Sequence, residues 1–303
     1  MGLKQRLRRD IYYKMAREMG YRSRSAIKLL QMHDKLDILS DFHRAVDLCA
    51  SPGGFSQVLA HFVHLTENAS YSEKPIVALD VQPMHPLEKV TSWVKDITGN
   101  TLADLIDTYF DGQRVDLVVC DGAPDSLGAA FEDFYYQSDI VYSAMQLSIS
   151  ILAEGSKFVA KVYRHYGHRL LAYRLSLFFE SFVYAKPKAC RQSSCEVYFV
   201  GFNFKLPDCI QKAGKDVAKE REEYWNFIYS IQDVPDNFKI PFVPCGTEPY
   251  DADANYPDIP DDFKFPASSF GDPEHLALPT APAYKTAVAL KKAGKLAKVN
   301  QNL

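Results

Sequence analysis

Short apolar runs alternate with amphipathic stretches through the middle of the chain. The runs have the length and composition of buried strands, and the stretches between them repeat their apolar residues every three or four positions, as helices do. The predicted strands span residues 45–50, 76–81, 90–94, 115–120, 157–162, 182–185 and 197–204. The predicted helices span residues 55–65, 101–110, 135–151 and 170–179. This alternation predicts an α/β fold with a seven-stranded, mostly parallel sheet and helices on both faces; a short polar connection favours an antiparallel final pair.

The segment before the first strand is predicted to form two basic helices that break at Gly20. Positive charges dominate this segment, and three tyrosines lie among them: Tyr12, Tyr13 and Tyr21. Aromatic rings can stack on unpaired bases while arginine and lysine hold phosphates, so the composition favours contact with single-stranded RNA. The alternative is a solvated helix face whose tyrosines pack against the sheet.

Composition bounds the organisation of the chain. With 303 residues, of which 47% are hydrophobic, it can build one α/β core and an appendage. We predict basic N-terminal helices over residues 1–40, a core over 41–205, and a charged, acidic and proline-rich extension over 206–303. A basic helix is predicted at 285–299 within this extension. The net charge of −3 argues against a generic polyanion binder.

Cysteine usage and hydropathy narrow the class of protein further. The six cysteines form no C-x-x-C pair, and Cys49 and Cys120 fall inside strand-like runs, where a thiol behaves as a small hydrophobe. We therefore expect no metal site. No signal peptide or long apolar span is visible, so we expect a soluble, cytoplasmic protein without a membrane partner.

The first crossover of the predicted sheet contains a glycine turn. Residues 47–57 read as the end of a strand, a Pro-Gly-Gly turn and the start of a helix. Gly53 and Gly54 lack a Cβ, which allows a sharp reversal and a close approach of a ligand. The full G-x-G-x-x-G fingerprint is missing, which argues against an NAD-type oxidoreductase. A shorter turn of this kind suits a nucleoside without a diphosphate, which points toward S-adenosylmethionine (SAM).

Acidic residues mark the carboxyl ends of the central predicted strands: Asp47, Asp80, Asp96 and Asp121. Ligands of open α/β sheets bind at this edge. A carboxylate at Asp80 could accept hydrogen bonds from ribose hydroxyls, and one at Asp96 could accept an adenine amino proton. A single aspartate at such a place is often only a turn or helix cap. Four of them beside the glycine turn predict a nucleoside site.

Lys161 is unusual because it lies near the end of a buried strand, where an unpaired lysine is costly to desolvate. Beside Asp121, such a lysine is a credible general base for a hydroxyl. Lys28 and Glu196 could complete a Lys-Asp-Lys-Glu cluster, although sequence spacing cannot show their proximity. An ordinary structural salt bridge is the alternative.

Six stretches of the chain match the motifs of a known family: residues 20–29, 47–57, 80–84, 121–125, 161–164 and 193–196. With these motifs the chain resembles the FtsJ/RrmJ class of RNA ribose 2′-O-methyltransferases over residues 8–204. The resemblance implies a Rossmann-like class I methyltransferase fold with SAM as the methyl donor. No metal is required, because the leaving group is already a neutral thioether.

The resemblance also implies roles for individual residues. The catalytic tetrad of the family falls on Lys28, Asp121, Lys161 and Glu196, with Lys161 acting on the 2′-hydroxyl. Cofactor contacts are expected at Gly53, Phe55, Asp80, Asp96 and Asp121. Many members have tryptophan where this chain has Phe55, which keeps an aromatic surface there. Contacts with RNA are expected at Arg8, Arg9, Arg22, Arg24 and Arg164.

Several stretches of the extension resemble the eukaryotic tRNA branch of the family: residues 240–246, 250–253, 256–257, 282–285 and 290–298. That branch methylates positions 32 and 34 of the anticodon loop with two helper proteins, one a helical-repeat protein and the other a β-propeller. The extension would then be a docking element; a disordered acidic linker is the alternative.

Other substrates and another class of protein stay open. The same chemistry on rRNA or an mRNA cap is the runner-up, and a non-catalytic RNA-binding scaffold is the alternative of a different class. Two departures from the family pattern limit the comparison: residues 165–168 differ from the usual run after the catalytic strand, and residues 209–230 look like an insertion.

Overall fold

The computed structural model describes residues 10–65, 73–98, 102–124, 130–165, 167–191, 194–207 and 226–247. Arg8 and Arg9, which were predicted to contact RNA, lie outside the described residues, as do most of the segment at 209–230 and all of the extension after residue 247. In the described parts of the chain, no helix is long and apolar enough to cross a membrane.

Helices and strands alternate along the core as the sequence predicts. The helices are α1 (Ile11–Glu18), α2 (Ser25–Leu36), α3 (Gly54–Phe62), α4 (Leu102–Tyr109), α5 (Ala130–Ile151) and α6 (His168–Ser176). The strands are β1 (Ala45–Leu48), β2 (Ile76–Asp80), β3 (Val90–Val94), β4 (Val115–Cys120), β5 (Leu152–Tyr163), β6 (Phe179–Pro187), β7 (Glu196–Phe204) and β8 (Phe242–Cys245). One further helical turn covers residues 226–230.

All strands of the described residues join one sheet in the order β3-β2-β1-β4-β5-β7-β6-β8. The pairs from β3 to β5 are parallel, and β7 lies antiparallel to both β5 and β6. The predicted α/β class and the antiparallel β6–β7 pair are therefore confirmed. Because parallel strands end at one edge, the carboxyl ends of β1, β2, β4 and β5 meet there, which is where ligands of such sheets bind.

The predicted number of seven strands is wrong, because β8 adds an eighth at the edge of the sheet. It pairs in parallel with β6, from Tyr184 opposite Phe242 to Pro187 opposite Cys245. The strand is short and contains Pro244, which has no backbone N–H to donate. A proline demotes a run in a sequence-based assignment but is tolerated at an edge, where one side of the strand has no neighbour.

Two apolar layers cover the sheet. Helices α1, α2 and α3 pack on one face, where Leu29, Leu30 and Leu59 are fully buried. Helices α4, α5 and α6 pack on the other, with Ile106, Val141 and Ala172 in its core. Tyr12 and Tyr21 belong to the first layer and are almost completely buried, so these two tyrosines pack against the sheet instead of facing RNA.

A buried arginine anchors the described part of the C-terminal extension to the core. Arg174 of α6 donates from Nε and Nη2 to the carbonyl oxygen of Ile231, at 3.1 and 2.6 Å, and from Nη1 to the hydroxyl of Tyr142 at 2.7 Å. Arg169 donates to the carbonyl oxygen of Phe238 at 3.0 Å from an exposed position. The chain that leads into β8 is thus hydrogen-bonded to α6. The domain division at residue 205 stays a prediction.

We expect Arg174→Leu to lower the free energy of unfolding by about 2–4 kcal/mol, because it removes a buried charged donor from the partly buried carbonyl of Ile231 and from Tyr142. Amide exchange in β8 should accelerate together with this loss. Urea unfolding and hydrogen exchange measure both quantities. Arg169→Leu is the matched control: its hydrogen bond is solvent-exposed, and we expect a loss below about 1 kcal/mol. Equal effects of the two variants would contradict the assigned anchor.

Candidate active site

The turn after β1 is shaped by close packing around Gly53. Its φ of +106° lies in the left-handed region, and a Cβ at this position would stand 2.7 Å from Met84 Sδ and 2.8 Å from Arg22 Nη1. A side chain there would therefore be both strained and obstructed. Next to the turn, Asp47 is fully buried and accepts a hydrogen bond of 2.5 Å from Ser56 Oγ. Burial raises the pKa of Asp47 to about 8.

A cleft of about 1370 Å³ opens at the carboxyl edge of the sheet and is lined by Asp80, Asp96 and Asp121. The Asp80 carboxylate is held by the backbone N–H groups of Ser51 and Gln82, at 2.9 and 2.7 Å. Asp96 accepts from both the backbone N–H and the hydroxyl of Thr98 at 2.9 Å. These bonds fix the direction of each carboxylate at the cleft wall.

The other two residues predicted to contact the cofactor lie away from the cleft wall. Gly53 is packed against Arg22 and Met84, and Phe55 is buried at 2% exposure with its ring centroid 6.2 Å from that of Tyr198. Neither residue is among those that line the cleft. Gly53 follows Pro52 and packs on Met84, which both line the cleft, and the contacts of Gly53 and Phe55 with the cofactor stay predictions.

The chemistry of the cleft wall fits SAM. Among the described residues that line the cleft there are four carboxylates, those of Asp80, Asp96, Asp121 and Asp139, and one lysine, Lys95, so the wall favours a cationic ligand over a phosphate. Val81 also lines the cleft and is 66% exposed, which offers an apolar surface for a flat base. A wall of this charge suits a sulfonium nucleoside far better than a dinucleotide with its pyrophosphate.

Four ionisable side chains meet beside the cleft as two ion pairs. Lys161 Nζ lies 3.2 Å from Asp121 Oδ1 and donates to the backbone oxygen of Asp121 at 2.6 Å. Lys28 Nζ lies 2.8 Å from Glu196 Oε1. The side chains come from β5, the end of β4, α2 and β7. The structure thus brings together all four residues of the predicted cluster.

Tyr198 joins the two pairs, although sequence reasoning missed it. Its hydroxyl donates to Asp121 Oδ1 at 2.6 Å, and Lys28 Nζ lies 5.8 Å from its ring centroid. The signal was its spacing: Tyr198 follows Glu196 by two positions in a strand and so points to the same face. The antiparallel register then sets Tyr198 opposite Lys161.

Comparison with known proteins agrees with this geometry. A family model described as FtsJ-like methyltransferase matches residues 21–204, which includes the whole cluster. The chain belongs to the FtsJ-like methyltransferase family.

Two relatives and one solved structure illustrate the likeness. The tRNA (cytidine(32)/guanosine(34)-2′-O)-methyltransferase of Schizosaccharomyces pombe is 38% identical over 296 residues, covering 96% of this chain and 98% of that protein. The Homo sapiens protein of the same name is 36% identical over 300 residues, covering 98% and 88%. The crystal structure of a ribosomal RNA methyltransferase from Plasmodium falciparum aligns with a TM-score of 0.52 at 21% identity, covering 61% of this chain and 98% of that one, and shows the shared fold.

The electrostatic environment of this FtsJ-like site keeps both members of the Lys28–Glu196 pair charged. Burial alone would raise the pKa of Glu196, but Lys28 together with Cys190 and Lys161 outweighs it, and the pKa falls to about 2. Burial alone would lower the pKa of Lys28, yet Asp121 and Glu196 raise it above its ordinary value. Tyr198 stays a neutral donor, because burial and the nearby carboxylates raise its pKa well above its usual range.

Two of the arginines predicted to contact RNA are engaged inside the protein. Arg22 donates to the carbonyl oxygens of Pro52 at 3.2 Å, His85 at 2.8 Å and Pro86 at 2.9 Å, which ties together two loops of the cleft. Arg24 binds the Asp10 carboxylate and the carbonyl oxygen of Ala189. Both residues therefore have structural contacts within the protein, and their contacts with RNA stay predictions.

Arg164 remains available to a ligand. It is exposed and directly follows Tyr163, which pairs with Glu196 across β5 and β7. Its guanidinium lies over the ring of Phe242, 5.4 Å from the centroid. The predicted contact between Arg164 and RNA is therefore compatible with its position at the rim of the site.

We expect Glu196→Gln to lower the free energy of unfolding at pH 7 by about 3 kcal/mol, since it leaves Lys28 buried without its counter-charge. The folded-state pKa of Glu196 is below its ordinary value, so its contribution is complete above about pH 4.5 and is lost as the pH falls toward 2. The gap between variant and wild type should therefore narrow below about pH 4.5.

Urea unfolding between pH 3 and 7 measures this gap. The exposed Glu180, which accepts a hydrogen bond of 3.0 Å from Asn203, provides the control Glu180→Gln, with an expected change below about 0.5 kcal/mol. A gap for Glu196→Gln that stays constant with pH would contradict a charged Glu196 in the folded protein.

Proposed function

We propose that this chain transfers a methyl group from SAM to the ribose 2′-hydroxyl of nucleotides 32 and 34 in the tRNA anticodon loop. The observation that carries the proposal is the Lys28-Asp121-Lys161-Glu196 cluster at the edge of an acidic cleft. The choice of tRNA follows from the names of relatives that match nearly the whole chain.

The cleft wall holds the groups that suit the cofactor. Asp80 would accept hydrogen bonds from ribose hydroxyls, and Asp96 would accept from the adenine amino group. When bound, SAM supplies an electrophilic methyl group on a sulfonium centre. The carboxylates of the wall would stabilise that positive charge, and their fixed directions would reduce the freedom of the ligand.

Lys161 would act on the 2′-hydroxyl. An ammonium group has three N–H donors, and Asp121 engages Lys161 Nζ through both its side chain and its backbone oxygen. A remaining N–H can hold the 2′-oxygen and steer or relay the proton that the hydroxyl loses. Gln137 supports this position, because its side chain donates to the carbonyl oxygen of Lys161 and accepts from the N–H of Tyr163 at 3.2 Å.

Lys28 and Glu196 would position the ribose on the other side of the 2′-oxygen. Their ion pair is at most one-seventh exposed at either side chain, so it is only weakly screened by water. Tyr198 holds Asp121 between the two lysines and keeps its carboxylate directed at Lys161. The site therefore contributes mainly alignment and placement of charge.

Helper proteins are part of the proposal. We expect a helical-repeat protein and a β-propeller protein to direct the chain to one position each, with the extension as the docking element. Methylation of transcribed tRNA by the chain alone and with each candidate helper tests this expectation. Equal activity at both positions without helpers would contradict it.

The substrate is tested by mapping ribose methylation in tRNA from cells that lack this protein. We expect 2′-O-methyl groups to be missing at positions 32 or 34 and to return with the wild-type chain. A missing rRNA or cap methyl group with unchanged tRNA would overturn the substrate but keep the chemistry. No missing methyl group anywhere would favour the RNA-binding scaffold.

We expect Lys161→Ala to reduce methyl transfer at least about 1000-fold and to leave the dissociation constant for SAM within about threefold, because Lys161 acts on the hydroxyl. Turnover assays and calorimetry measure the two quantities. Lys205→Ala is the control: Lys205 is exposed and follows the end of β7 that lies away from the cleft. Normal turnover by Lys161→Ala would refute the assigned role.

We expect Arg164→Gln to weaken tRNA binding and to reduce the slope of log K against log salt by about one, because one phosphate contact is lost. Binding measured between 50 and 200 mM salt, roughly the range in which such slopes are resolved, tests this. Lys205→Gln should leave the slope unchanged. An unchanged slope for Arg164→Gln would place Arg164 outside the RNA path.

A further inference from the structure

One face of α5 forms a wall of the cleft. The residues of this face that line the cleft are Tyr136, Asp139, Ile140 and Ser143, spaced as neighbours on one side of a helix. Tyr136 is 54% exposed, which is unusual for a tyrosine beside a deep cleft. Its phenol ring makes no aromatic contact with the residues that the structure describes, so its face is available to a ligand.

The cleft is larger than one small molecule needs. Pockets for a small molecule or cofactor have volumes of about 300 to 1000 Å³, whereas this cleft has a volume of about 1370 Å³. The groups suited to SAM, Asp80 and Asp96, lie at the ends of β2 and β3, and α5 lies on the other side of Asp121. The part of the α5 wall around Tyr136 is therefore left for a second ligand in the same cleft.

Tyr136 is held in register with the reacting centre. Its neighbour Gln137 is fully buried and hydrogen-bonded to the backbone of Lys161 and Tyr163. The helix backbone beside Tyr136 is thus tied to β5 at Lys161 and Tyr163 by two hydrogen bonds of the next residue. From this place on α5, the Tyr136 ring can contact a group that belongs to the same nucleotide as the oxygen on which Lys161 acts.

We propose that Tyr136 stacks on the base of the nucleotide that is methylated and so holds that nucleotide in the cleft. The inference rests on the proposed function, in which Lys161 acts on the ribose 2′-oxygen of that nucleotide. The base is joined to the same ribose, so it must lie close to the 2′-oxygen. SAM would occupy the part of the cleft near Asp80 and Asp96, which leaves the part near Tyr136 for the base. Loop nucleotides are unpaired and can be turned out to stack on an aromatic side chain. Stacking tolerates any base, which suits an enzyme acting on both cytidine and guanosine.

The neighbouring Tyr135 provides a matched control. It is 50% exposed on the same turn of α5 but does not line the cleft. Substitution of either tyrosine removes a similar exposed ring from the same helix. A difference in activity between the two variants therefore reflects the loss of a ring from the cleft and not a change in the stability of α5.

The test measures kcat/KM for an anticodon stem-loop with the full chain and any helper protein that its activity requires. We expect Tyr136→Ala to lower kcat/KM about 10- to 100-fold, the range supported by base–aromatic stacking, and Tyr136→Phe to recover most of it. Tyr135→Ala should stay within about twofold of wild type. The dissociation constant for SAM should change by less than about twofold in Tyr136→Ala, because the ring faces the substrate.

An abasic nucleotide at the methylated position gives a second, independent measurement, since it keeps the 2′-hydroxyl and lacks the base. We expect it to lower wild-type kcat/KM about as much as Tyr136→Ala does, and the two changes together to cost no more than either alone. Additive losses, an unchanged kcat/KM in Tyr136→Ala, or a weaker affinity for SAM that accounts for the loss would each overturn the inference. If the wild-type chain methylates no tRNA ribose, the proposed function itself fails.

Discussion

Two lysines and two carboxylates share a nearly closed site, and the fold depends on keeping all four paired. Lys28 and Lys161 are only 8% and 7% exposed. A buried charge without its partner is strongly destabilising, so each ion pair constrains the elements that supply it. Lys28 requires α2 to pack on the sheet where its side chain reaches Glu196 of β7, and Lys161 requires β5 beside β4. The order of the strands and the packing of the N-terminal helices therefore meet the same requirement, that each buried lysine has a carboxylate partner.

Asp121 connects this requirement to the cleft. Its carboxylate pairs with Lys161, accepts from Tyr198 and lines the cleft wall. In the proposed function, this one residue at the end of β4 would align the reacting oxygen with the cofactor. Tyr198 restricts the orientation of the Asp121 carboxylate, because the buried Tyr198 hydroxyl donates a hydrogen bond to it. Arg22 extends this rigidity to the far wall by tying the turn after β1 to the loop after β2.

The sequence pattern predicted features that depend on residue spacing within one helix or strand. It missed contacts between residues that are far apart in the chain. Seven of the strands follow from apolar runs, and Asp80, Asp96 and Asp121 are visible as acids at or after the ends of such runs, whereas Asp47 lies buried inside β1. Lys161 stands out as a charge inside a buried run. Arg22 and Arg24 have the composition of an RNA-binding surface, and only the folded chain shows that carbonyl oxygens and Asp10 engage them. Tyr198 was hidden among apolar neighbours, since its partner Asp121 lies on another strand. The roles of Gly53 and Phe55 toward the cofactor stay predictions.

The edge beyond β6 shows why the family motifs describe chemistry better than substrate choice. The family match ends at residue 204, yet the sheet continues to β8, and Phe242 of that strand supports Arg164 at the rim of the site. Arg174 fixes the segment that leads there, so residues outside the family motifs shape the approach to the tetrad. Tyr136 lies within the matched range but is not one of the four residues of the tetrad. A residue that holds the target nucleotide need only face the cleft. Specificity is therefore expected in the walls that surround the shared catalytic centre.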